Sequence, residues 1–493
     1  MQRQLKENIL IILRLTMLTL TILKLSKYNI GMSTFVARDK DLFRLESLWN
    51  KDEFNFVAVY GRRRVGKTAL IREFVKNKPH LYFQATKDKQ FNLVNFSASI
   101  GKTFFGSADI PPFTSFASAL SVFFTHLDKG TGFVLILDEV SYLAESDDTF
   151  LSVLQSFVDK EFPSSKLMLI LCGSNSTFME ENVLGLKSPV YGRRAFPMKV
   201  IPFSLSETAL MLPSWTLEEI AQAHAITGGI PYYLSFLKEH ENIREAIKEE
   251  FFTPGGRLIT EARLLLMMEL RAVDMYESIL YLIARGNNEV SNISSKSGKD
   301  KAVVSQALAN LARLGITKRR EPFEGVGVAR GWIIEDGYFL FFYKYVFPYI
   351  SSIEFDAGDA AFNSAVSDID TFTGREMEKV FRRYILTSYI RPVSKIAGIE
   401  FPNPKSKQNE EIDLVALIPP DAMLFGECKW KRAKVDISVY NLLQRRAEMA
   451  YPKVKNKFYS ILSRSGYEDN LIKLADTIDN LLLLTPEDIL RKT

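Results

Sequence analysis

The stretch VAVYGRRRVGKTAL, residues 57–70, runs from a short apolar segment into three arginines, a glycine, a lysine and a threonine. Its spacing, G-x-x-x-x-G-K-[ST], is met by Gly61, Gly66, Lys67 and Thr68. The apolar FVAVY before it and the helical pattern KTALIREF after it supply the strand, loop and helix setting in which backbone N–H groups surround phosphates. In that setting Lys67 reaches the β- and γ-phosphates of ATP and the Thr68 hydroxyl ligates Mg²⁺. The nucleotide is expected against Gly61, Arg62, Arg63, Arg64, Val65, Gly66, Lys67, Thr68 and Ala69. Arg62, Arg63 and Arg64 occupy the variable positions. They screen phosphate charge, pair with acids of a neighbouring domain or stay solvated; the last two readings are preferred.

Outward from the loop, about residues 35–215 alternate short β-rich runs with helical patterns: FNFVAVY, HLYFQA, FVLILDE, LMLILCGS and FPMKVI. These runs are apolar on both faces, as strands of a parallel sheet covered by helices are. An α/β domain over 32–215 is predicted. Asp138 and Glu139 close the run FVLILDEV, which places them at the carboxyl edge of that sheet. There Asp138 is expected to hold the magnesium water shell and Glu139 to polarise the attacking water. The plainer alternative is an aspartate capping the next helix. The run LCGSNS brings Ser174 and Asn175 to the same edge as a sensor of the γ-phosphate, and YGRRAF offers Arg193 and Arg194 to stabilise transition-state charge.

The 493 residues exceed one ordinary core, and 47% hydrophobic with 25% charged residues is a globular balance rather than a disordered or fibrous one. A formal net charge of +5 permits nucleic acid as a partner without requiring it. Cys172 and Cys428 both lie in apolar runs, which argues against a disulfide framework and a cysteine zinc site and points to the cytoplasm. The four histidines lack ligand spacing. Residues 9–25, ILIILRLTMLTLTILKL, look like a membrane segment, but Arg14, Lys24 and the short length weigh against it. Residues 1–31 are therefore expected to be a non-native or disordered extension before a start at Met32, with a membrane anchor as the alternative.

Beyond the α/β domain, 216–270 reads as a helical lid containing TGGIPYYL. Residues 271–350 read as a winged helix: helices MYESILYLIARG and AVVSQALANLARLGITKR, then the strand GWIIEDG. Val304, Ala307, Leu308, Leu311 and Leu314 recur at helical spacing and leave Ser305, Gln306, Asn310 and Arg313 outward. That face suits a major groove, and Lys318, Arg319 and Arg320 suit phosphates on a wing. An intramolecular relay fits equally well.

Residues 370–493 read as a helix, two strands and further helices. In EIDLVALIPPDAMLFGECKW a hairpin centred on Pro420 sets Asp413 opposite Glu427, with Lys429 on the same face. Two carboxylates about 4 Å apart repel by roughly 4 kcal/mol at an effective dielectric near 20, which a divalent cation relieves. The pattern D-(x13)-E-x-K resembles the PD-(D/E)XK nuclease core. That resemblance implies Mg²⁺ on Asp413 and Glu427, a water oriented by Lys429, an extra acid in Glu378 and a neighbouring Gln444. An inert sheet is the alternative. Residues 374–455 hold 16 Lys and Arg against 10 Asp and Glu, which suits a phosphate-bearing substrate or a solvated basic face.

VARDKDLFRLESLW, YGRRRVGKT, LILDEVSYL, LCGSNSTFM, SPVYGRRAFP and TGGIPYYL, in this order, resemble the archaeal-type ATPase family of the STAND branch of AAA-related P-loop NTPases. The resemblance runs from about residue 34 to the end. It implies ATP and Mg²⁺ as cofactors, Glu139 as the catalytic glutamate and Pro231 beside the base. It also implies a C-terminal winged helix followed by a domain of unknown function, and homo-oligomers of unspecified number. Ala37 departs from the glycine usual in that family. The expected function is an ATPase switch coupled to DNA binding and cleavage; a signalling scaffold with an inactive nuclease-like domain and a membrane-tethered ATPase are the competitors.

Overall fold

The five apolar runs of the first domain are strands: β1 (Asn55–Tyr60), β2 (His80–Gln84), β3 (Phe133–Asp138), β4 (Leu167–Gly173) and β5 (Phe196–Lys199). The structure is a computed structural model that describes residues 35–185, 195–327, 331–403, 406 and 408–491. The five strands form one parallel sheet in the order β2-β3-β4-β1-β5. Every residue of β1 and β4 is buried, because helices cover both faces of the sheet. Helices α1 (Asp39–Trp49), α2 (Lys67–Val75), α3 (Lys89–Ile100), α4 (Phe116–His126), α5 (Val140–Ser146) and α6 (Phe150–Lys160) supply that cover. A core cluster sits under α3, α4 and α6, where Phe96, Phe123 and Leu154 meet Phe83, Leu135 and Leu169.

Helices α7 (Leu205–Met211), α8 (Leu217–Thr227), α9 (Pro231–Leu237), α10 (Ile243–Phe251) and α11 (Glu261–Glu269) follow. The turn into α9 uses Gly228 and Gly229, both at positive φ, and Pro231 starts the helix, where a missing N–H costs nothing. Helices α12 (Val273–Ala284), α13 (Val290–Ser297) and α14 (Lys301–Arg313) then lead into an antiparallel ribbon of β6 (Thr317–Arg319) and β7 (Trp332–Ile334). The serine-rich α13 is a helix that the sequence reading lacked. On α14, Val304, Ala307, Leu308 and Leu311 are buried and Ser305, Gln306 and Arg313 face solvent, whereas Leu314 and Asn310 are half-buried, Asn310 donating to the Tyr276 hydroxyl at 2.8 Å.

Helices α15 (Gly337–Phe341), α16 (Asp359–Ser367) and α17 (Ile369–Ser388) lead to a second sheet. Its strands are β8 (Lys395–Pro402), β9 (Asn409–Ile418), β10 (Ala422–Lys429), β11 (Asn456–Ser463) and β12 (Leu481–Leu484), ordered β12-β11-β10-β9-β8, with α18 (Ile437–Ala450) between β10 and β11. This corrects the expectation of two strands: β8, β11 and β12 complete a mixed five-stranded sheet, parallel from β10 to β12 and antiparallel from β8 to β10. The hairpin register is the anticipated one, with Met423 opposite Leu417 and Phe425 opposite Val415. One irregularity was not anticipated. Ala397 pairs with Val415 but Ile399 with Ile412, so β9 carries an extra residue around Asp413 and Leu414.

Among the described residues no helix is long and apolar enough to cross a membrane, and the candidate segment 9–25 lies outside them.

Gly61 ends β1 at φ 148°, and a Cβ there would lie 2.1 Å from the Val200 carbonyl oxygen. Gly66 starts α2 at φ 91°. We predict that Gly61→Ala costs at least about 2 kcal/mol, because a backbone oxygen cannot step aside. A thermal melt within a degree of the parent protein would contradict this.

Candidate functional site

The phosphate loop lies between β1 and α2, at the carboxyl edge of the first sheet. Lys67 is 7% exposed, and its Nζ donates to the carbonyl oxygens of Gly61 at 2.8 Å and Arg62 at 3.0 Å, which holds the ammonium across the loop. Burial lowers its pKa, while the nearby thiol of Cys172 and the carboxylates of Glu139 and Asp138 oppose that shift. The Thr68 hydroxyl donates to Asp138 Oδ2 at 3.2 Å, and the Tyr82 hydroxyl donates to the same oxygen at 2.5 Å. Asp138 therefore faces the loop instead of capping α5, whose N-cap position is Glu139 and which has no side-chain cap.

Glu139 adopts a left-handed backbone at φ 54°, a strained conformation of the kind functional sites retain. Its Oε2 accepts from the Ser174 hydroxyl at 2.9 Å and the Ser174 amide at 3.3 Å, so the ends of β3 and β4 meet at this carboxylate. Asn175 does different work: its Oδ1 accepts the Phe178 amide and caps a short helix. Pro231 lies beside the loop, its Cγ 4.0 Å from where a Cβ on Gly66 would sit. Arg193 and Arg194 fall outside the described residues.

The three loop arginines are not solvated. Arg62 forms an ion pair with Asp336, the N-cap of α15, and lies over the Phe339 ring. Arg63 donates through Nε to Glu269 at 2.5 Å and through Nη2 to the Tyr142 hydroxyl at 2.6 Å, and its Nη1 is 3.5 Å from Glu139 Oε1. Arg64 donates to Glu261 at 3.0 Å and stacks 4.2 Å over Tyr232. All three arginines thus pair with acids far along the chain. The sequence reading missed the three acids, although three adjacent cations demand counter-charge and EARLLLMME carries a glutamate at each end. It also missed Arg38, a buried residue at φ 69° whose Nη2 donates to the Val65 carbonyl at 2.9 Å and the Ile201 carbonyl at 2.6 Å.

On the second sheet the acids of the hairpin stand near one another, the Asp413 charge adding to burial in raising the Glu427 pKa. Glu378, Glu411 and Asp413 bring carboxylate oxygens within 4.8 Å of one another, whereas Glu427 lies outside this set. Instead Glu427 Oε1 accepts from Lys429 at 2.6 Å and is 3.4 Å from Arg446, while its Oε2 is buried without a hydrogen-bond partner among the described residues. The Asp413 Oδ2 accepts the Cys428 amide at 2.8 Å, and its carboxylate meets that of Glu378 on α17. Gln444 donates to the Tyr440 hydroxyl, and Arg446, two residues along α18, reaches Glu427 and Glu410. On the ribbon, Lys318 and Arg319 are exposed, but Arg320 pairs with Glu400 of β8 at 2.8 Å. Burial and the Asp413 charge push the Glu378 carboxyl up to about 8, against the lowering effect of Arg382. Burial also raises the pKa of Asp413 and Glu427.

The chain is similar to known proteins in several respects. An ATPase domain family described as predominantly from Archaea matches residues 35–237, and a family of archaeal and bacterial proteins of unknown function matches 342–440. An uncharacterized protein of Methanocaldococcus jannaschii is 29% identical over 441 residues, covering 87% of this chain and 95% of that protein. An uncharacterized ATP-binding protein of the same organism is 50% identical over 48 residues, 10% of this chain and 81% of that protein. Among solved structures, a Walker-type ATPase of Pyrococcus abyssi aligns with a TM-score of 0.47 at 19% identity, covering 64% of this chain and 99% of its own. The ORC2 protein of Aeropyrum pernix aligns at 0.44 and 14% identity, covering 69% and 98%.

Two predictions follow from these contacts. Asp336 is buried against Arg62, so Asp336→Ala leaves an uncompensated buried cation and is expected to cost about 3–5 kcal/mol in denaturant unfolding. Glu378 has a folded pKa of about 8, above its unfolded value, so its protonated form stabilises the fold at acid pH and that contribution fades as pH rises from about 4.5 to about 8. Melting temperatures across that window should decline in the parent protein and less steeply in Glu378→Gln. Equal slopes would discount the acid cluster as their source.

Proposed function

We propose that this chain, whose residues 35–237 match an ATPase domain family found predominantly in Archaea, is a nucleotide-controlled switch acting on DNA, with ATP hydrolysed at the phosphate loop. The carrying observation is that Lys67, Thr68, Asp138, Glu139 and Ser174 converge at one sheet edge. Lys67 exchanges its two loop carbonyls for oxygens of the β- and γ-phosphates. Pro231, at the start of α9 beside Gly66, is the residue that meets the nucleotide base in this reading.

Magnesium suits this site: the Thr68 hydroxyl and the Asp138 carboxylate are hard oxygen donors already in contact, the donor set that cation prefers. When bound, the ion neutralises charge on the β- and γ-phosphates. Glu139 orients the attacking water and takes its proton. The water oxygen bonds to the γ-phosphorus, the bond to the bridging oxygen of ADP breaks, and the proton ends on the released phosphate. Ser174 holds the Glu139 carboxylate in place.

The switch reaches DNA through the segment of α12, α13, α14 and the ribbon, which we read as a winged helix. Its ends are tied to the loop through Glu269, just before α12, and Asp336, just after β7. The exposed face of α14 with Lys318 and Arg319 is the DNA-facing surface in this reading. Lys67→Ala is expected to abolish ATP binding and turnover. Retained hydrolysis in that variant would refute the site.

The sheet of β8–β12 supports a second reading, a scaffold whose nuclease-like domain does not cut. The supporting observation is that Glu427 Oε1 is engaged by two cations, Lys429 and Arg446, and is not grouped within 4.8 Å of Glu378, Glu411 and Asp413. Plasmid incubated with Mg²⁺ or Mn²⁺ and either the parent protein or Glu427→Ala separates the two. Cleavage by the parent alone favours a working nuclease; no cleavage by either favours the scaffold.

A further inference from the structure

Arg63 is the loop cation placed to act on the chemistry itself. Arg62 is locked to Asp336, and Arg64 to Glu261 and the Tyr232 ring. The Arg63 guanidinium instead lies 3.5 Å from the very carboxylate, Glu139, that faces the attacking water in the reading above, on which this inference rests. Water attacking the γ-phosphorus must sit between that carboxylate and the phosphoryl group. A guanidinium in contact with Glu139 is therefore about one water's width from the oxygens that gather charge in the transition state. Its charge is also felt at the Lys67 ammonium, so the two cations flank one site.

We propose that Arg63 is a catalytic arginine supplied in cis, which binds the γ-phosphoryl oxygens during hydrolysis, and that Glu269 is the acid that holds it aside until then. The holding contact is short, 2.5 Å through Nε, and Tyr142 steadies the opposite edge of the guanidinium at 2.6 Å. Glu269 ends α11, and Ala272, three residues on, opens α12 in a left-handed conformation at φ 56°. Displacement of the α12–β7 segment, as on engaging DNA, draws Glu269 away and frees Arg63 for the phosphoryl group. The same arginine then contributes charge stabilisation that neither Arg62 nor Arg64 is free to give.

Steady-state ATP hydrolysis by the full chain tests this with Arg63→Ala, Arg63→Lys and Glu269→Gln, beside Glu139→Gln as reference. Arg63→Ala is expected to lower kcat about a hundredfold or more while KM for Mg-ATP moves less than about fivefold. Arg63→Lys should recover only a small part, because a point charge cannot bind two oxygens as a guanidinium does. Glu269→Gln should keep kcat at or above the parent value. A kcat for Arg63→Ala within about threefold of the parent overturns the proposal. So does an equal fall in Arg63→Ala and Glu269→Gln, which marks the pair as a structural latch. If Arg63→Ala fails to fold, Arg63→Lys carries the test, and parental turnover there overturns the proposal. Glu139→Gln separates the two levels: loss of turnover there with an active Arg63→Ala removes only the arginine's role, whereas parental turnover in Glu139→Gln removes the reading of the site as well.

Discussion

Four cations within six residues, Arg62, Arg63, Arg64 and Lys67, stand at the end of a fully buried strand, and their charge must be met. Burial of an unpaired charge is costly enough that a fold either avoids it or supplies a partner. Here the Lys67 ammonium is met by loop carbonyls and the arginines by acids far along the chain: Glu261 and Glu269 at the two ends of α11, and Asp336 at the start of α15. The loop is thereby the point where the parallel sheet, the helical segment and the ribbon are joined. Whatever alters charge at the loop alters the electrostatic balance of all three.

The same logic orders the carboxyl edge of the first sheet. Glu139 stands between a hydroxyl donor, Ser174, and a cation, Arg63, and Asp138 between two hydroxyls, Thr68 and Tyr82. Each carboxylate is held by elements that approach from different directions, so its position reports the packing of β3 against β4 and α2. Arg38 braces the far side of the loop through the Val65 carbonyl. A phosphate cradle built from backbone alone would be soft; this one is fixed by side chains on both sides.

The second sheet gathers charged side chains at the end of its hairpin. β9 carries one residue more than β8 around Asp413, whose carboxylate meets Glu378 of α17 and Glu411, while Glu427, which feels the Asp413 charge, pairs with Lys429 and Arg446. Three carboxylates then share one side of the sheet with Arg382 as the cation beside them, 3.6 Å from Glu378. The hairpin register itself was legible because a tight turn and an apolar pattern specify it. The bulge was not, since nothing in EEIDLVAL marks an extra residue; Gly398 on the facing strand, where a Cβ would crowd the Asp413 carbonyl at 3.0 Å, belongs to the structure that accommodates it.

Residues 57–70 by themselves determined the strand, the loop and the following helix, because spacing, glycine conformations and apolar runs act over a few residues and need no distant partner. The five strands of the first sheet and the buried face of α14 were legible for the same reason. The destination of the three arginines, the company of Asp413 and the strands that complete the second sheet were decided only by tertiary structure. Charges find their counter-charges across about two hundred residues of chain, 197 for Arg64 and Glu261, and strand pairings form between segments that no local period connects.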